Sequence, residues 1–143
     1  MKSGRYNVGI GLLTMSLFMA YGFLLIYLRD FHPDRESWIA GYTTGVHFES
    51  RLAHVHGNLF GLLNVGLGFL LSKLDAAPAR GLEAVAVLGL VGLMMPLGIV
   101  GEIYLGLSPI FVLLGALSMI LSVAVGGVLS LRYWPRSAAV VAP

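Results

Sequence analysis

Two histidines placed two residues apart, His54 and His56, open a long apolar segment and are the side chains best suited to metal chemistry in this sequence. Imidazole is the commonest metal-ligating side chain, and it holds the iron of many haem proteins. Polar groups inside a segment long enough to cross a membrane are costly, and they mark functional sites by default. The chemistry of this chain is therefore expected around this pair.

Helical spacing places the two histidines on opposite faces. Residues three or four apart share a face of a helix, whereas residues two apart point nearly away from each other. The face of His54 contains His47, Arg51, His54, Asn58, Gly61, Val65 and Gly68. The face of His56 contains Glu49, Ala53, His56, Phe60 and Leu63. One helix therefore cannot present both imidazoles to a single metal ion.

Two glycines, Gly57 and Gly61, lie beside His54 and remove bulk from its side of the helix. Glycine at this spacing is typical of close packing between membrane helices. The same lack of bulk would accept the edge of a flat cofactor. The residues alone leave both interpretations open.

The composition is that of an integral membrane protein. The chain has 143 residues, of which 57% are hydrophobic and 11% charged, and its mean hydropathy is +0.86. It has no cysteine, which excludes disulfides, thiolate metal sites and cysteine nucleophiles. The basic residues lie at the ends of apolar segments, so the isoelectric point near 9.2 does not indicate a nucleic-acid partner.

Four apolar segments are long enough to cross a bilayer as helices. They cover residues 8–28, 51–72, 82–107 and 110–131. We predict a single all-α integral membrane domain, a bundle of four transmembrane helices in contact with lipid. A kink is expected at Pro96 in the third segment, and residues 29–50 form a polar loop of the length that lids use.

The basic residues predict the orientation of this bundle. Four spans place both termini and the turn at residues 73–81 on one side. That side carries Lys2, Arg5, Lys73, Arg80, Arg132 and Arg136. The positive-inside rule therefore predicts that both termini are cytoplasmic, as in a protein of a bacterial inner membrane.

This topology places His54, His56 and Asn58 in the outer third of the second span, with Glu102 and Tyr104 near the same side. A buried glutamate requires a partner, for which Arg51 and the two histidines are the candidates. Otherwise the carboxylate of Glu102 reaches the membrane interface.

Small residues also recur along the fourth span, where they predict a helix-packing face within or between protomers. They are Gly115, Ser118, Ser122 and Gly126.

Several short motifs, in the same order along the chain, resemble the styrene oxide isomerase family. They are Ala53-His54 followed by Leu59 and Gly61, then Phe69-Leu70-Leu71, Pro78-Ala79-Arg80, Tyr104-Leu105 and Ser108-Pro109. The resemblance covers residues 50–111 and requires a gap of about two helical turns in the third span.

The resemblance implies a small four-helix trimer that binds haem b at its subunit interfaces. In that family the ferric iron acts as a Lewis acid that opens an epoxide to an aldehyde, so the substrate is small and apolar. The haem ligand of the family matches His54, with His56 an additional histidine and second candidate ligand. Its active-site tyrosine matches Tyr104, and its active-site asparagine falls on Phe60.

The same resemblance implies roles for neighbouring residues. Tyr104 and Glu102 are expected on the open side of the iron, where Phe60 narrows the site. Asn58 and Asn64 are the candidates to replace the missing amide, although neither occupies the matching position. Gly57 and Gly61 are expected beside the haem.

Three functions remain open at this point. The first is a haem-dependent isomerase that keeps one iron position free. The second is a non-catalytic or electron-transferring b-haem subunit with both axial positions filled, for example by His54 and a histidine from a neighbouring protomer. The third is a structural subunit of a larger membrane complex, in which the histidines only bridge helices.

Overall fold

The computed structural model describes residues 3–135, and over that range its regular secondary structure is entirely helical. The helices are α1 (Ser3–Asp30), α2 (Arg35–Ala40), α3 (Gly45–Leu71), α4 (Ala79–Gly92), α5 (Met94–Leu105) and α6 (Ile110–Tyr133). α4 and α5 are separated by one residue and together make one long apolar span. With α1, α3 and α6, four helical segments are long and apolar enough to cross a membrane. This confirms the prediction of an all-helical chain with four segments of spanning length.

The second span is longer than the sequence predicted, because α3 begins at Gly45 rather than at residue 51. The expected loop at residues 29–50 is correspondingly short, and it contains α2. His54, His56 and Asn58 consequently lie in the middle third of a helix of 27 residues. Their depth in the membrane, predicted as the outer third of the span, stays a prediction. The polar residues that precede the apolar run are themselves helical.

The third span is interrupted one turn before Pro96, as predicted. Proline has no N–H to donate to the carbonyl four residues earlier, and its ring clashes with that carbonyl. Here Leu93 leaves the regular helix. Its backbone N–H donates to the carbonyl oxygen of Leu90, three residues earlier, at 3.1 Å. The interruption separates α4 from α5.

α1 and α3 pack closely because glycine stands at their points of contact. A Cβ atom added to Gly68 would lie 2.5 Å from the Gly4 carbonyl oxygen, and one added to Gly61 would lie 2.6 Å from Cγ of Met15. The ring of Phe18 occupies the space beside Gly57. These glycines therefore serve helix packing, and α1 fills the space beside them that a cofactor would need.

Two buried asparagines connect α1, α3 and α4. The Nδ2 group of Asn64 donates to the carbonyl oxygens of Phe60 at 3.0 Å and Gly89 at 2.8 Å. The Nδ2 group of Asn7 donates to Oδ1 of Asn64 and to the Ala86 carbonyl oxygen, each at 2.9 Å. Both side chains are fully buried, so each hydrogen bond lies away from water.

The small residues of α6 pack within the chain, in agreement with the prediction. A Cβ atom at Gly115 would clash with the backbone of Met94 and Met95, where α4 and α5 meet. The hydroxyl of Ser122 donates to the Val85 carbonyl oxygen at 2.7 Å. Gly126 is buried as well. This face of α6 therefore packs against the third span.

Candidate functional site

His54 is held by a hydrogen bond to the neighbouring helix. Its Nδ1 atom lies 2.7 Å from the carbonyl oxygen of Phe18 on α1. A carbonyl oxygen only accepts, so Nδ1 carries the proton and Nε2 keeps its lone pair. The ring lies against Gly22, where an added Cβ would come within 2.6 Å of the imidazole Cε1. Glycine at position 22 is therefore what allows the imidazole to occupy this place.

Beside this imidazole lies an open groove of about 440 Å³, called here the His54 groove. Its wall is formed mainly by apolar side chains of α1, among them Met19, Phe23 and Ile26. Within the described residues, Nε2 of His54 has no hydrogen-bond partner. The groove thus combines an apolar wall with one imidazole whose Nε2 atom has no partner among the described residues.

The end of the His54 groove nearest the start of α3 is polar and carries positive charge. It is lined by Arg29, Tyr42, His47 and Arg51. The guanidinium of Arg51 stacks on the Tyr42 ring at 3.8 Å from its centroid and donates to the Tyr42 carbonyl oxygen at 3.2 Å. Arg29 is paired with Asp30 at 2.7 Å. Arg51 is therefore the cation with more donors left for a ligand.

The short helix α2 places Trp38 against His47. The two rings stack with centroids 4.5 Å apart. Nδ1 of His47 donates to the Trp38 carbonyl oxygen at 2.7 Å, and the edge of Tyr42 contacts the same imidazole. The spacing of His47, Arg51 and His54 predicted their shared face. Nothing local in the sequence indicated that Trp38 would pack there.

His56 points to the other side of α3, as the spacing predicted. Its Nδ1 atom donates to the Leu52 carbonyl oxygen of its own helix at 2.9 Å, and its ring meets the edge of Phe60. Phe60 is buried in the main hydrophobic core beside Met119. Neither His56 nor Phe60 lines the His54 groove. The residue in place of the family's asparagine therefore lies away from His54.

Tyr104 belongs to a cluster of hydroxyl groups between α1, α3 and α5. Its oxygen lies 3.1 Å from that of Tyr21 and 3.4 Å from that of Ser50. Ser50 is fully buried, whereas Tyr104 is half exposed. Tyr104 does not line the His54 groove. Sequence reasoning missed Tyr21 and Ser50, because a tyrosine near a span end and a single serine are common in membrane helices.

Glu102 and Asn58 have simpler environments. Glu102 is exposed and makes no ion pair within residues 3–135, so the expectation of a buried carboxylate with a cationic partner is wrong. Its exposure agrees with the alternative, a carboxylate that reaches the membrane interface. Asn58 is half-buried, one turn after His54, and its Nδ2 donates to the His54 carbonyl oxygen at 2.9 Å.

The described part of the chain does not bring three metal-ligating side chains of histidine, cysteine or carboxylate type together. A metal ion held only by protein side chains commonly needs three or four such ligands. A haem needs far fewer, because its porphyrin supplies four nitrogen ligands. No known protein family matches the chain, and no curated protein or solved structure is significantly similar to it.

Proposed function

We propose that this protein binds haem b in the His54 groove, where Nε2 of His54 would hold the iron. The observation that supports the proposal is the hydrogen bond from Nδ1 of His54 to the Phe18 carbonyl oxygen. Metal-ligating histidines nearly always donate their other ring N–H in this way, because the bond fixes the tautomer and the orientation of the ring. The unprotonated Nε2 is then in the form that binds iron.

The groove offers matching surroundings for the rest of a haem. Met19, Phe23 and Ile26 form an apolar wall suited to a porphyrin ring. Haem b also carries two carboxylates, for which Arg51 at the polar end provides donors in a planar fork. Tyr42 holds that guanidinium in place from beneath. An apolar wall and a cationic end are the two features that a flat, dicarboxylic cofactor requires.

We further propose that the iron keeps one open coordination position, as in the isomerase that the sequence resembles. When bound, ferric haem supplies a Lewis acid that stabilises negative charge developing on an oxygen atom. Of the imidazoles described here, only those of His54 and His47 line this groove, and seven residues separate them by about 10 Å along α3. His47 is also stacked under Trp38. Within one chain, His47 is therefore not placed to bind the same iron as His54. The electron-transferring alternative would need the thioether of Met19, which lines the groove, or a histidine from a neighbouring subunit.

The proposed reaction converts an epoxide to its isomeric carbonyl compound. One C–O bond breaks, a hydrogen moves to the neighbouring carbon and a C=O bond forms, so no other reactant is required. Asn58 stands one turn from His54 and is the amide closest to it in sequence. Asn58, Tyr104 and Glu102 do not line the groove of their own chain. Their proposed roles therefore require a site shared between subunits.

An absorbance titration tests this proposal. The purified ferric protein should show a Soret band of five-coordinate or water-bound iron, and added cyanide or imidazole should shift the band saturably. A low-spin spectrum that ignores both ligands would favour the electron-transferring alternative. A colourless protein, expressed with sufficient haem, would contradict haem binding altogether.

We propose a homo-oligomer, a trimer by resemblance, in which a neighbouring subunit closes the open side of the His54 groove. The small residues that suggested an oligomer are mostly used inside the chain, since Gly61 and Gly68 contact α1 and Gly115 contacts α5. The proposal now depends on the open groove and on the resemblance. Detergent-corrected light scattering of a strict monomer with bound haem would contradict it.

We also propose that both termini are cytoplasmic and that the protein lies in a bacterial inner membrane. The exposed Lys73 and Arg80 beside the turn between α3 and α4 support this orientation. Reporter fusions at Gly41 and at Ala77 should report opposite sides, with Ala77 in the cytoplasm. If the Ala77 reporter lies outside and the Gly41 reporter lies in the cytoplasm, the proposed orientation of the termini is reversed. Both reporters on one side would contradict four spans.

A further inference from the structure

A second groove lies on the opposite side of α3 from His54. It is formed by α3, α5 and α6, has a volume of about 480 Å³ and is called here the His56 groove. Its lining is apolar apart from the imidazole of His56, and it includes Phe60, Met95, Ala116 and Met119. No charged side chain lines it. This composition suits a neutral, apolar molecule.

The imidazole of His56 has one nitrogen free for such a molecule. Nδ1 donates to the Leu52 carbonyl oxygen, so Nε2 carries the lone pair. Nε2 has no partner within residues 3–135. Over the same residues, the buried side-chain nitrogen and oxygen atoms without a partner are Oδ1 of Asn7 and Nε1 of Trp38. Nε2 of His56 is not among them, so it is accessible.

His56 also does not bridge helices, which was the structural alternative for the histidines. The carbonyl oxygen that it contacts belongs to α3 itself. A phenylalanine or leucine would fill the same space in the middle third of α3 without leaving a polar atom in apolar surroundings. A ligand that donates a hydrogen bond to Nε2 would remove that cost.

We propose that the His56 groove binds a membrane-soluble phenol, whose hydroxyl group donates to Nε2 of His56. With Nδ1 already donating to the Leu52 carbonyl oxygen, Nε2 is the nitrogen left to accept, and a hydroxyl group is a donor that matches it. Sulfur atoms contact aromatic rings favourably, and Met95 and Met119 lie in the wall. An aromatic alcohol therefore fits this groove better than an aliphatic one.

This second site is independent of the haem proposed above. His54 bonds to α1, whereas the His56 groove is bounded by α5 and α6. Occupation of the His56 groove should leave the Soret band unchanged, and loss of His54 should leave phenol binding unchanged. The two proposals can therefore fail separately.

Saturation-transfer NMR on the full-length protein in detergent tests the proposal with two probes, 2-naphthol and 2-methoxynaphthalene. The probes have the same ring system, but only the first donates a hydrogen bond. We expect 2-naphthol to bind about three to tenfold more tightly, the usual effect of one hydrogen bond. His56→Phe keeps an aromatic ring and removes Nε2, so it should abolish the difference. Equal binding of the two probes by the wild type, or an unchanged preference in His56→Phe, would overturn the proposal.

Two further variants identify the groove. Ala116→Phe should fill it and remove saturable binding of both probes, whereas His54→Ala should retain both. A Soret shift caused by 2-naphthol, or its loss from His54→Ala, would place the phenol at the haem and overturn the assignment. If a second copy of the chain covers the groove, the wild type will bind neither probe and Ala116→Phe will lower the oligomeric mass. That result would also overturn it.

Discussion

His54→Ala is expected to lower the Soret absorbance per polypeptide by more than about tenfold, whereas His56→Ala is expected to retain most of it. Removal of a group that only orients a metal ligand costs about ten to a hundredfold in affinity, and here the ligand itself is lost. His56 faces a different groove, so its imidazole has no route to the same iron. The measurement is the ratio of Soret to protein absorbance, with haem quantified by its pyridine complex.

A cavity variant supplies the control for folding. His54→Gly leaves space beside the Phe18 carbonyl oxygen, and added imidazole should restore the Soret band if the site is otherwise intact. Recovery would show that the bundle still folds without the side chain. If His56→Ala loses haem and His54→Ala retains it, the ligand assignment is reversed. If both variants retain haem, neither histidine is the haem ligand.

The period of α3 explains why part of this site was predictable. The angle between two residues on a helix depends only on their separation, so the opposite directions of His54 and His56 follow from the sequence. The shared face of His47, Arg51 and His54 follows in the same way, and all three line one groove. Hydrophobicity likewise predicted four spans.

The parts that were not predictable depend on contacts between distant segments. Gly57 was equally compatible with a cofactor or a helix beside it, and only the position of Phe18 decides between them. Phe60 aligns with a catalytic residue of another family, yet its side chain is buried in the core. The start of α3 was missed because Gly45 precedes the apolar run, and hydropathy detects a span without its polar helical extension.

The asparagines of α3 show the same limit, since the sequence did not distinguish their roles. Asn58 bonds only to a carbonyl oxygen of its own helix. Asn64 bonds to α1 and to α4 and is fully buried. Asn64 is therefore structural, and it is not free to replace the amide that the isomerase family uses near its substrate.

Asn64→Ala is expected to destabilise the protein by about 2 kcal/mol, and Asn58→Ala by less than about 0.5 kcal/mol. Hydrogen bonds between membrane helices contribute about 0.6 kcal/mol on average and up to about 1.7, and Asn64 makes two with other helices. Its loss also leaves one donor bond of Asn7 unmade in the core, which adds a desolvation cost. Thermal unfolding in detergent or a titration with a denaturing detergent provides the measurement.

The double variant Asn7→Leu/Asn64→Leu separates pairing from packing. Removal of both partners leaves neither side chain with an unmet hydrogen bond, so the double variant should lose less stability than the sum of its two single variants. We expect a coupling of about 1 kcal/mol between the two positions. Additive losses would show that the asparagines act independently. If Asn58→Ala and Asn64→Ala lower the free energy of unfolding equally, the contacts of Asn64 with α1 and α4 contribute nothing to the stability of the bundle.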